Sequence, residues 1–146
     1  MNEIVVGIDR SDTARHAAEK AAELAKALDV TLHLVMCVDR GSTVSVAVGS
    51  DHFRSDWLAE SEQFLDDVGR KLARDHYTRA AIVGDPAKVM CDEAKRLDAS
   101  IIVVGNRRVQ GASRVLGSIA SDVAKHASCD VLIVNTTGAG AKDKTG

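Results

Sequence analysis

Ser100-Ile101-Ile102-Val103-Val104-Gly105 is the stretch that decides the fold. Its unbroken run of β-branched residues leaves no polar side for solvent, so it reads as a strand buried on both faces, the environment a parallel sheet provides. Working outward, the pattern recurs in Ile4-Val5-Val6-Gly7-Ile8, in Thr31 to Val38 and in Asp130-Val131-Leu132-Ile133-Val134, with Tyr77 to Val83 as a weaker strand at an edge. Segments of helical period lie between them. Ala14, Ala17, Ala18, Ala21, Ala22, Ala25 and Leu28 form a small-residue face behind a Ser11 or Asp12 cap. Leu58, Phe64, Leu65, Val68 and Leu72 form one buried stripe from Asp56 to roughly His76, and Gly84-Asp85-Pro86 opens a helix that runs to about Leu97. Val115, Leu116, Ile119, Val123 and Ala127 give the apolar face of a last helix. Strand and helix alternate five times, and right-handed crossovers then put helices on both faces of the sheet. The predicted fold class is α/β, a single doubly wound, five-stranded parallel sheet.

A chain of 146 residues suits one domain, placed at 1–137, followed by a tail of small and charged residues at 138–146 that reads as disordered. From Arg40 to Ser55 Gly, Ser, Thr and Val lack helical period and predict a surface loop. The net charge of -2 argues against a surface built to neutralise phosphate backbones, and aromatic residues at 3% leave no platform for stacked bases. No nucleic acid is expected as partner. Cys37, Cys91 and Cys129 are an odd set without a C-x-x-C pair, which reads as a reducing compartment. The start Met1-Asn2-Glu3-Ile4 has no basic segment leading into an apolar run, and no stretch reaches the ~20 apolar residues of a membrane span. The expectation is a soluble cytoplasmic protein with no membrane contact.

In a doubly wound sheet, ligands favour the crevice beyond the carboxyl ends of the strands where the order reverses. Here those ends are Asp9 and, if the fourth strand is the neighbour of the first, Gly105. Gly105 to Ser118 (Gly-Asn-Arg-Arg-Val-Gln-Gly-Ala-Ser-Arg-Val-Leu-Gly-Ser) joins the best strand to a helix with three glycines and three arginines. Glycines admit an anion close to backbone donors, and arginines supply charge-assisted hydrogen bonds, so the segment is a phosphate-cradle candidate. The same residues also read as turn formers and a solvated face.

Five landmarks stand in register: Val5-Val6-Gly7-Ile8-Asp9-Arg10-Ser11, Gly84-Asp85-Pro86, Val103-Val104-Gly105, Leu116-Gly117-Ser118 and Val131-Leu132-Ile133-Val134. On these the chain resembles the universal stress protein family from Ile4 to Thr136. The resemblance implies a Rossmann-like, adenine nucleotide alpha hydrolase-like sheet of order 3-2-1-4-5. The family's ATP-binding branch carries G-x2-G-x9-G-[ST], to which Gly105 and Gly117-Ser118 correspond. Arg108 stands in place of the second glycine, and eight residues rather than nine separate it from Gly117. By resemblance Arg107, Arg108, Gly117 and Ser118 hold phosphates with Ile119 beside them. Asp9 binds the ribose or base, and Ile8 and Cys37 flank the adenine. Without the family, Asp9 reads equally as a cap or turn residue and Cys37 as a small core residue. The resemblance also implies a homodimer through Val131 to Val134, and Mg2+ would come only with the phosphates of the nucleotide.

Sharper chemistries fail on the residues present. There is no G-x-x-x-x-G-K-[ST] loop, Gly138-Ala139-Gly140 lacks the third glycine of a dinucleotide fingerprint, and no G-x-S-x-G elbow occurs. His16, His33, His52, His76 and His126 lack metal-ligand spacing and read as surface or core residues. A receiver domain of the response-regulator kind would need a lysine after the fifth strand, where Asn135-Thr136-Thr137 stands. The reading is a stress-protein-like module that binds ATP or a related adenine nucleotide and acts as a regulator, with slow ATP hydrolysis at most. Its rival is a dimeric interaction protein, with an unknown protein partner, that has lost the nucleotide.

Overall fold

The computed structural model describes residues 3–38, 51–106 and 116–135. The elements are β1 (Ile4–Ile8), α1 (Asp12–Leu28), β2 (Leu32–Val38), α2 (Asp51–Ala73), β3 (Tyr77–Val83), α3 (Pro86–Arg96), β4 (Ile101–Asn106), α4 (Ser118–His126) and β5 (Asp130–Asn135). All strand pairings are parallel, in the order β3-β2-β1-β4-β5. The order reverses at β1, so the crevice expected from the sequence lies beyond the carboxyl ends of β1 and β4.

Strand alternation sorts the core into two layers. Ile4, Val6 and Ile8 face α1 and α2, packing with Ala17, Ala18, Ala21 and Leu65. Val5, Ile102 and Val104 face the other way, against Met90 and Ala94 of α3 and Ala120 and Val123 of α4. The alanines of α1 bring its backbone close to β4: a Cβ on Gly105 would stand 3.0 Å from Thr13 Cγ2 and 3.1 Å from the Thr13 carbonyl oxygen.

The helix starts follow the sequence. Ser11 Oγ accepts from the Ala14 amide at 3.1 Å, and Asp85 accepts from the Lys88 amide at 3.0 Å with Pro86 in the first turn.

Two boundaries differ from expectation. Helix α2 begins at Asp51, not Asp56, so the end of the predicted Arg40 to Ser55 loop is helical; residues 40–50 lie outside the described residues. No Gly or Pro interrupts 51–56. Helix α4 begins only at Ser118, and Leu116 and Ile119, expected on its buried face, are 44% and 45% exposed. Ala120 and Val123, three apart, are the buried pair, and Ile119 lies about 100° around the helix from Ala120. Val115 and the tail at 138–146 lie outside the described residues.

Candidate functional site

Asp9 leaves β1 at its carboxyl end and turns the chain into α1. Its Oδ1 accepts from the Ser11 amide at 2.7 Å and from the Ser11 hydroxyl, closing an Asx turn before the Ser11 cap. The carboxylate is exposed, with Oδ2 free of those two bonds. Ile8, just before it, is buried on the α1 and α2 side.

Cys37 sits one residue from the end of β2, half-buried, on the α3 side. Its thiol is pushed up to about 11, first by burial and then by the negative charges of Asp85 and Asp9. Asp85, the cap of α3, therefore belongs to the same electrostatic neighbourhood, which the sequence reading did not include. Gly84-Asp85-Pro86 signalled a helix start; that this start stands beside Asp9 follows only from the order β3-β2-β1. Because only the thiolate reacts, Cys37 is expected to be alkylated by iodoacetamide about 100-fold more slowly than a free cysteine peptide at mildly alkaline pH. Replacing Asp9 and Asp85 together by asparagine should speed that labelling, as followed by mass spectrometry; an unchanged rate would remove the two carboxylates from the thiol's surroundings.

On the β4 side, Asn106 is the buried last residue of the strand. Its Oδ1 accepts from the Gly117 amide at 2.7 Å, tying the strand end to the helix start eleven residues later. A Cβ on Gly117 would approach that oxygen to 3.3 Å. Gly117 is the N-cap of α4 and offers no side-chain acceptor, the first turn holds no acid, and Gly117, Ser118 and Ile119 are all exposed. The first amides of α4 thus keep their donor capacity at the positive end of the helix. Asn106 was absent from the sequence-based set. Its signal, an amide directly after a buried apolar run, is weak without the helix it caps. Arg107 and Arg108 lie outside the described residues.

Gly105 has a packing reason of its own, the close approach of α1. The structure brings Asp9, Cys37, Asn106, Gly117 and Ser118 to the carboxyl end of the sheet. A cleft of about 530 Å³ opens beside Asp9 between α1 and α2; it includes Ile8, Arg10 and Phe64 but none of Cys37, Gly105, Gly117, Ser118 or Ile119. There the Arg10 guanidinium lies 4.5 Å from the centre of the Phe64 ring. Among the described residues, no three His, Cys, Asp or Glu side chains converge as metal ligands. None of the described helices is long and apolar enough to cross a membrane.

The sequence profile of the universal stress protein family matches residues 1–135. The chain belongs to the universal stress protein family. A universal stress protein of Methanocaldococcus jannaschii is 32% identical over 136 residues, covering 90% of this chain and 80% of the relative. Among solved structures, a universal stress protein in complex with cAMP superposes with a TM-score of 0.68 at 24% identity, covering 93% of this chain and 98% of that one. The universal stress protein of Archaeoglobus fulgidus in complex with dAMP superposes with a TM-score of 0.65 at 24% identity, with coverage of 92% and 98%. The family fold is the five-stranded sheet described above.

Proposed function

We propose that this universal stress protein binds an adenine nucleotide in the crevice between β1 and β4 and acts as a nucleotide-controlled module of the stress response. The observation that carries the reading is the first turn of α4, which has no side-chain cap and whose entrance is tied by Asn106 to the end of β4. Backbone donors at a helix start suit phosphate, and an exposed carboxylate suits ribose hydroxyls. The two structural relatives carrying cAMP and dAMP support the adenine class. In this assignment the Ser118 and Ile119 amides and the Ser118 hydroxyl donate to the phosphates, while Gly117, its own amide held by Asn106, lets them approach without a side chain in the way. Arg107 and Arg108 supply charge, Arg108 from the position where the family motif has its second glycine, and Ile8 and Cys37 border the base. Any Mg2+ would arrive with a triphosphate. The site is one for binding rather than fast turnover, because no general base stands beside the α4 amides among the described residues.

The proposal extends to assembly. β5 is an edge strand and its Leu132 is 40% exposed, so pairing of Val131 to Val134 with a second copy would cover apolar surface and an open edge. All three cysteines are free, as suits the reducing cytoplasm in which we place the protein.

Isothermal titration of nucleotide-free protein with ATP, AMP and cyclic AMP, paired with light scattering, tests the reading. Micromolar binding to a dimer, lost in Arg108→Glu, is the expected result. No heat from any of the three, with the dimer intact, would leave an interaction module without a nucleotide.

A further inference from the structure

On the sheet face covered by α3, a chain of polar side chains runs from the core to the open edge. Glu93 of α3 accepts from Arg96 Nε at 3.0 Å and from Arg96 Nη2 at 2.8 Å. Its Oε2 lies 2.8 Å from Nε2 of His33, which is 2% exposed near the start of an otherwise apolar strand. The Arg96 hydrogen bonds keep the Glu93 carboxyl below the usual carboxylate range despite burial. An ionised carboxylate only accepts, so the hydrogen between the two groups sits on Nε2. With that hydrogen on Nε2, the tautomer carrying a single ring hydrogen has Nδ1 as its acceptor. That nitrogen is 2.6 Å from Oγ1 of Thr78, its register partner on β3, so the hydroxyl donates to it. Thr78 itself is exposed on the edge strand.

Hydroxyl, imidazole and carboxylate in this order make an alcohol nucleophilic: the ring takes the proton as oxygen attacks, and the carboxylate orients the ring and stabilises its charged form. The Leu32 amide donates to the His76 carbonyl at 3.1 Å. Strand alternation then directs the amides of Tyr77 and Arg79 outward along the free edge, on either side of Thr78. Backbone donors in that position suit a developing oxyanion.

We propose that Thr78 is a nucleophilic hydroxyl that takes an acyl group from an activated ester. His33 is its base, and Glu93 and Arg96 are positioning residues. Thr78 Oγ1 bonds to the acyl carbon, its proton passes to His33 Nδ1, and the bond from that carbon to the leaving alkoxide breaks; His33 then returns the proton to the alkoxide or to water. No oxidant or further reactant is required. The site stands near the amino end of β3, away from the nucleotide crevice, so it holds or fails independently of the nucleotide reading.

The test is incubation of the folded full chain with p-nitrophenyl acetate, reading p-nitrophenolate release and the acetylated residue by peptide mass mapping. The expected result is one acetyl group per chain on Thr78, kept in Thr78→Ser and lost in Thr78→Val. His33→Gln should slow release by at least about 100-fold, the usual contribution of a general base. Acetyl found only on lysines, or wild-type release in Thr78→Val, would overturn the proposal, as would a folded His33→Gln acetylated at the wild-type rate. Should His33→Gln not fold, the Thr78 pair, exposed at an edge, decides alone.

Discussion

Glu93→Ala is expected to lower folding stability by about 1 to 3 kcal/mol, the range for leaving a buried hydrogen-bonding group without its partner. Glu93 is 8% exposed and gathers hydrogen bonds from Arg96 and His33, so truncation strands the Nε2–H of His33 inside the core. Most of the cost is that stranded donor. Replacing His33 and Glu93 together by leucine should therefore destabilise less than Glu93→Ala alone, because no buried polar group is then left unpaired. Urea titrations of the wild type and the two variants decide it; equal losses for the single and double variants would show that the pair is not energetically joined. The same carboxylate adds a pH dependence. Its folded value lies below the ordinary one, chiefly through Arg96, so its stabilisation is complete above the unfolded value of ~4.3 and is lost as pH falls through the folded value. Glu93→Gln should flatten the acid limb of the stability curve over that window.

Gly69→Val should cost about 3 kcal/mol or more, combining overpacking with loss of helix propensity. Gly69 lies inside α2, where alanine would ordinarily be better by ~1 kcal/mol. A Cβ there would stand 2.4 Å from Tyr77 Cδ2 and 2.7 Å from Tyr77 Cγ, so the ring lies directly against the helix backbone. The ring is held: Tyr77 OH donates to Asp66 Oδ1 at 2.9 Å, and Arg79 Nε donates to the same oxygen at 3.1 Å. A side chain at 69 therefore pushes β3 off α2. Gly69→Ala should destabilise in the wild-type background and become stabilising, by up to ~1 kcal/mol, in Tyr77→Ala, where only propensity remains. Thermal melts of the four proteins give the sign, and a stabilising Gly69→Ala in the wild type would show the ring to be free to move aside.

The sheet was legible because its strands are buried on both faces. Ile101 to Val104 and Ile4 to Ile8 have no polar alternative to hide, and Ser11 and Asp85 mark the helix starts with hydroxyl and carboxylate acceptors that local geometry uses at once. The start of α4 was harder. Leu116 and Ile119 fit a helical stripe on paper, but Leu116 precedes the helix, because Asn106 fixes Gly117 as the first turn's entrance, and Ile119 falls on its exposed side. The site divided in the same way. Asp9, Cys37, Gly117 and Ser118 could be named from motif and strand ends, whereas Asp85 joined them only once β3 and α3 were in place.

The sequence by itself determined the alternation of strand and helix and the parallel sheet, because burial on two faces and capping are written in neighbouring residues. Only the tertiary structure decided that Thr78, His33, Glu93 and Arg96 form one chain, that Asn106 holds Gly117, and that Gly69 makes room for Tyr77. Apart from Glu93 and Arg96, neighbours on one helix, those contacts join residues from 8 to 60 positions apart across register and packing, and no local pattern encodes a hydrogen bond between elements whose order in the sheet is not yet known.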